Sequence, residues 1–163
     1  MNLLAIDPGS EVCAFAYLVD GAVLATDAIT PAASLTWLES MEYIAEQLDR
    51  GVRTRQWQPD AIAIESVVFW RSASSALTHG MTIGFLARVV SELFPRTRWI
   101  EVNLSTIARE LGLKANARRE ERKAAARERF PGLRTQDEAD AAAIGVTALS
   151  MLGQARGEDE AVS

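Results

Sequence analysis

Apolar residues along this chain fall into short unbroken runs separated by stretches of helical period. Leu3-Leu4-Ala5-Ile6 is closed by Asp7-Pro8-Gly9. A run that short, with a turn dipeptide behind it, predicts a strand buried on both faces. Residues 12–19 and 22–28 are two further apolar runs rich in Val, Phe and Tyr, split by Asp20-Gly21. Asp-Gly between such runs predicts a tight hairpin, so strands one to three form an antiparallel meander. From Ser34 the period becomes helical, with Leu35, Leu38, Met41, Ala45 and Leu48 on one face. Gln58-Pro59-Asp60 then leads into a fourth buried strand, Ala61-Ile62-Ala63-Ile64, which ends at Glu65.

The second half reads as mostly helical. Residues 66–75 form a loop containing Phe69, Trp70 and Arg71, and a helix spans about 75–94. Gly80 and Gly84 sit four apart within it, each costing about 1 kcal/mol against Ala in a helix interior. That cost predicts close approach of another backbone, from this chain or from a second copy. Residues 99–102 form a fifth strand, and Asn103 or Ser105 caps a short helix through Leu111. After a loop over 112–117, a basic helix covers 118–130 and stops at Pro131-Gly132. Thr135-Gln136-Asp137-Glu138 has the form of a capping box, which assigns Glu138 to structure. The last helix runs from Asp137 to about Gly153. The organisation expected is one domain over 1–153 and a short, acidic, frayed tail over 154–163.

Composition narrows the chemistry. With 48% apolar and 24% charged residues, the chain is of globular type, and no apolar run approaches the ~18 residues that span a bilayer. No basic segment precedes an apolar core at the N-terminus, so no signal peptide is expected. Cys13 is the only cysteine and His79 the only histidine. An internal disulfide is therefore impossible, a cytosolic location is expected, and zinc sites of the Cys/His type are nearly excluded. Any metal must be held by oxygen. His79 itself is read as a structural residue. The net charge of −5 argues weakly against nucleic acid, but residues 109–134 carry nine basic and four acidic side chains. Local charge is what attracts a phosphate backbone.

Four carboxylates stand out. Asp7 and Glu65 each end an apolar strand, where an unpartnered charge is costly to bury. Asp7 could simply start its turn by accepting backbone amides. Asp137 and Asp140, three apart at a helix start, share one helical face, and the dipole explains only one of them. If that helix start packs beside the strand ends, the four converge and repel one another. Divalent cations resolve the conflict, and hard oxygen ligands select magnesium or manganese. Two such ions about 3.5–4 Å apart activate water and stabilise the leaving oxygen of a phosphodiester.

Ile6-Asp7-Pro8-Gly9-Ser10, Gln58-Pro59-Asp60 before Ala63-Ile64-Glu65, Ser75-Ala76-Leu77, and Asp137-Glu138-Ala139-Asp140-Ala141 occur in the order and near the spacing of the RuvC-type Holliday junction resolvases. The chain resembles that family from residue 3 to about 150. The resemblance implies an α/β, RNase H-like fold: a five-stranded mixed sheet, strands one to three antiparallel and the others parallel, flanked by helices. It places the catalytic, metal-binding acids on Asp7, Glu65, Asp137 and Asp140, with two Mg2+ or Mn2+ ions. It implies a homodimer that cuts four-way DNA junctions by paired symmetric nicks in recombination and repair, and a branch-migration helicase as a further partner. The compartment implied is the cytoplasm of a bacterium or of a phage-infected bacterial cell.

Two departures from the family pattern bear on DNA contact. The family's aromatic residue three positions after the second acid is replaced by Val68, with Phe69, Trp70 and Arg71 just beyond. A shift of one residue restores stacking, which tolerates modest changes of geometry. The family's Gly-rich basic loop is here Lys114-Ala115-Asn116-Ala117-Arg118-Arg119. Lys114, Arg118, Arg119, Arg122 and Lys123 are the candidates for DNA contact, against the alternative of a solvated helix face. Gly80 and Gly84 are the candidates for the dimer interface, against an intramolecular crossing. The acids alone leave open a nuclease for RNA–DNA hybrids or RNA, or a junction-binding protein without catalysis.

Overall fold

The computed structural model of the chain describes residues 1–66 and 73–161, with side chains as far as Gly153. Five strands form one sheet in the order β3-β2-β1-β4-β5. β1 (Asn2–Asp7) pairs antiparallel with β2 (Cys13–Val19), and β2 with β3 (Ala22–Ile29). Asp20 and Gly21 turn that hairpin with φ of 48° and 87°, the pair of positive angles that matches a two-residue turn to strand twist. On its other side β1 pairs parallel with β4 (Ala61–Glu65), and β4 with β5 (Arg98–Val102). Asp60 sets the register of β1 on β4. Its carboxylate accepts the Asn2 amide at 2.7 Å and its own amide donates to the Asn2 carbonyl at 2.8 Å. Ile6 then lies opposite Ile64, so Asp7 and Glu65 leave neighbouring strands side by side. The expected mixed, RNase H-like sheet is the one observed.

Side chains alternate across a strand, and here the two faces differ in size. Leu4, Ile6, Phe15, Tyr17, Ile62 and Ile64 pack against α1 (Trp37–Arg55) and α2 (Ala73–Leu93). Ala5, Ala14, Ala16, Ala61 and Ala63 pack against α3 (Leu104–Glu110), α4 (Arg119–Arg129) and above all α5 (Gln136–Ala161). α5 answers with its own small residues, Ala139, Ala142, Ala143 and Gly145. A Cβ on Gly145 would lie 2.4 Å from Leu18 and 3.2 Å from Ala5, so the helix sits as close to the sheet as its backbone allows. Asp7 follows Leu3 and Ala5 in the alternation, and Glu65 follows Ala61 and Ala63. Both acids therefore end up on the α5 face.

Local differences from the sequence reading have local causes. α1 begins after Thr36, not at Ser34, because Thr36 has Glu39 at the third helical position and completes a capping box with it. The buried face is accordingly Met41, Ile44, Leu48 and Val52, and Leu38 is exposed. Gly80 and Gly84 mark no close crossing among the described residues. A Cβ on either meets nothing within 4 Å among the described residues. Their neighbours at helical spacing, Leu77 and Met81, are 65% and 46% exposed. α5 continues past Gly153 to Ala161. No helix among the described residues is long and apolar enough to cross a membrane.

Candidate active site

The tips of β1 and β4 meet the first turn of α5. Thr135 and Glu138 hold that turn in place: the Thr135 hydroxyl accepts the Glu138 amide at 3.1 Å, and Glu138 accepts the amides of Arg134 and Thr135 at 2.8 and 3.0 Å. Glu138 is buried and is used up as a cap, as its place in the capping box predicted. Asp137 and Asp140, together on one face of the helix, turn toward the strand ends. Asp7, Asp137 and Asp140 each offer a carboxylate oxygen within 4.8 Å of the others. Glu65 stands outside that triplet but lines the same cavity of about 330 Å³. Gln136 orients Asp140 by donating to it at 2.8 Å while also donating to the Lys123 carbonyl at 3.2 Å.

The carboxyls disturb one another. Burial first, then the charges of Glu65, Asp140 and Asp137, push Asp7 well above the usual carboxylate range, against the opposing pull of Arg119. Glu65 is pushed up to about 7, chiefly by burial and also by Asp140, against the attraction of Arg122 and Arg119. Asp140 is raised too, by burial and then by Asp137, while its bond from Gln136 and the charges of Lys123 and Arg119 hold it back. Carboxylates buried and crowded like this are poorly solvated, and the nearby cations do not offset the crowding. An all-oxygen donor set with raised proton affinity fits a hard divalent cation of the magnesium or manganese kind.

α4 supplies the positive side. Arg119, Arg122 and Lys123, at spacings of three and four, line the acid cavity together. Arg118 is the cap of α4, its backbone amide donating to Glu121 at 2.6 Å; like Lys114 it is exposed and does not line the cavity. Phe69, Trp70 and Arg71, expected to touch DNA, lie outside the described residues. Two neighbours of the acids were not among the residues singled out in the sequence. Gln136 precedes Asp140 by one helical turn, a signal that spacing could have revealed. His79, read as structural, lies in the cavity wall; nothing in its local sequence indicates that.

A family model described as the crossover junction endodeoxyribonuclease RuvC matches residues 3–106, a span that carries Asp7 and Glu65. No curated protein matches the chain. The Thermus thermophilus RuvC structure is similar at 20% identity and a TM-score of 0.71, covering 94% of this chain and 97% of that one. The T. thermophilus RuvC complex with a Holliday junction substrate is similar at 21% identity and a TM-score of 0.74, covering 94% and 96%. At such identities the likeness to solved structures is one of fold.

Proposed function

The chain belongs to the RuvC family of crossover junction endodeoxyribonucleases, and on that footing we propose that it resolves four-way DNA junctions as a homodimer, by paired hydrolytic nicks in strands of like polarity. The observation that carries the mechanism is the meeting of Asp7, Asp137 and Asp140 oxygens within 4.8 Å beside Glu65, under a ridge of three cations. Asp7, Glu65, Asp137 and Asp140 are the residues that would hold two Mg2+ or Mn2+ ions. Such ions supply Lewis acidity and a water of lowered pKa to phosphodiester hydrolysis.

The protein's own groups do the remaining work. Arg119, Arg122 and Lys123 draw the phosphate backbone to an acidic centre that would otherwise repel it. Gln136 keeps the Asp140 carboxylate turned inward, and the Thr135–Glu138 cap fixes the helix start from which both aspartates project. Residues 1–153 form the catalytic unit. The exposed strip Leu77, Met81 and Gly84 on α2 supplies the surface for a twofold dimer, which sets one active site on each of two strands of a symmetric junction.

The test is incubation with a mobile four-way junction, an RNA–DNA hybrid and plain duplex, with and without Mg2+. Mg2+-dependent, symmetric cutting of the junction is the expected result. Preferential cutting of the hybrid would replace this reading with a hybrid nuclease, and junction binding without cutting in Mg2+ would replace it with a junction-binding protein.

A further inference from the structure

The four acids of the site are not held alike. Among the described residues, Asp140 is the one whose carboxylate takes a side-chain hydrogen bond, from the Gln136 amide at 2.8 Å. The same nitrogen donates to the Lys123 carbonyl at 3.2 Å. An amide NH2 carries two hydrogens, and here each has its own acceptor. Turned over, the amide would set its carbonyl oxygen against both acceptors, so its orientation is fixed. Gln136 is thus a brace, with one end on the backbone of α4 and the other on a carboxylate. Both ends are themselves seated. Gln136 opens α5, whose start Thr135 and Glu138 cap, and Lys123 lies inside α4, which packs against α5.

A carboxylate braced in this way loses a freedom that one kind of cation uses. Ca2+ takes about six to eight oxygens in flexible geometry, often both oxygens of one carboxylate. Mg2+ is smaller, demands a nearly octahedral shell, takes one or two carboxylates and keeps several waters. To offer both oxygens to a cation, Asp140 would have to turn and give up its bond from Gln136. To offer one, it need not move. Asp7, Asp137 and Asp140 already bring one oxygen each within 4.8 Å of the others. The choice between large and small hard cations depends on ligand number and flexibility, and the brace restricts both at Asp140.

We propose that Gln136 is a positioning residue that sets the cation preference of the site: by tying Asp140 to the backbone of α4 it holds that carboxylate to a one-oxygen grip, which favours Mg2+ and Mn2+ over Ca2+. The inference rests on the cation site proposed above and is tested without DNA. Mn2+ and Ca2+ are titrated separately into the DNA-free protein by calorimetry, and then into Gln136→Met, which keeps the length of the side chain and removes the donor. The unaltered protein is expected to bind Mn2+ more tightly than Ca2+. The methionine variant should bind Mn2+ about tenfold more weakly, the loss typical of removing a group that orients a ligand, and hold Ca2+ within about twofold. The ratio of the two affinities therefore falls about tenfold. Gln136→Asn, too short to reach both acceptors, should lower the ratio in the same direction and gives the answer if the methionine variant fails to fold. Equal weakening of both cations would make Gln136 a structural residue only and overturn the inference. So would an unchanged ratio in both variants, or an unaltered protein with no preference for Mn2+. Failure of the unaltered protein to bind either cation would overturn the cation site and this inference together. Failure to cut junctions, with the affinity ratio behaving as described, would overturn the junction reading and leave this inference standing.

Discussion

The two faces of the sheet are built from the same strands and do different work. On one face Leu4, Ile6, Phe15, Ile62 and Ile64 hold α1 and α2 off the sheet by the bulk of their side chains. On the other, Ala5, Ala14, Ala16 and Ala63 meet the alanines of α5 and Gly145. Both faces are dry, so hydrophobicity does not distinguish them; the share of small side chains does, although Leu3 and Leu18 also lie on the α5 face. A helix standing on leucines and phenylalanines would start several ångströms further out. Only on the small-residue face does a helix start come near enough for its carboxylates to approach one from a strand tip. Alanine here is a spacer setting, and the acid cluster occupies the face where that setting is shortest.

The largest contrast between the faces is between removing an acid and removing an apolar side chain. Asp7→Asn should lower junction cutting by about a thousandfold or more, since a ligand of the reacting centre is lost. Junction binding and thermal stability should survive, because relieving like-charge crowding costs the fold nothing. Leu4→Ala, on the opposite face, should cost about 2–5 kcal/mol of stability and leave cutting per folded molecule near normal. Denaturant curves and single-turnover assays on both variants check this; equal loss of cutting would erase the distinction.

A second contrast is in pH. Glu65 binds its proton more tightly folded, at about 7, than unfolded, near 4.3. Between those values the folded state retains a proton that the unfolded state has lost, so metal-free stability should fall as pH rises through that window, by up to about 3 kcal/mol, and level off above it. Glu65→Gln should flatten the fall. Leu4→Ala should shift the whole curve and keep its shape. Mg2+ should oppose the fall, because cations bind the ionised acids. Melting temperatures from pH 4.5 to 8 read all three; a glutamine variant with the native slope would show that Glu65 is not the source of the fall.

The smallest contrast is geometric. Gly145→Val should force α5 outward at a cost of about 1–3 kcal/mol and lower cutting per folded molecule by up to about a hundredfold through misplacement of Asp140. Ile44→Val across the sheet should cost about 1 kcal/mol with cutting kept. Retained cutting in the valine variant at 145 would show that α5 needs no such close seat.

Much of this was legible in the sequence because it depends on short-range chemistry. Asp-Gly between two apolar runs dictates the hairpin, Thr135 with Glu138 dictates the start of α5, and strand runs ending in Asp7 and Glu65 point to the tips. Where neighbours competed, the sequence was ambiguous. Ser34 and Thr36 can both cap α1, and Glu39 decides for Thr36. Arg118 and Arg119 are equally basic, and the backbone role of Arg118 as a cap leaves Arg119 to face the acids. The place of His79 in the cavity wall depends on how α2 meets the turn after β1, a tertiary fact that no periodicity encodes. Gly80 and Gly84 looked like contact glycines, yet the described residues leave them open.

The central claim is that the acids at the tips of β1 and β4 and at the start of α5 form one cation site. Calorimetric titration of Mn2+ into the DNA-free protein, and into Asp7→Asn and Asp140→Asn, tests it without relying on cutting. The account predicts saturable binding that weakens by at least about tenfold in each variant. Binding unchanged by both substitutions would contradict it.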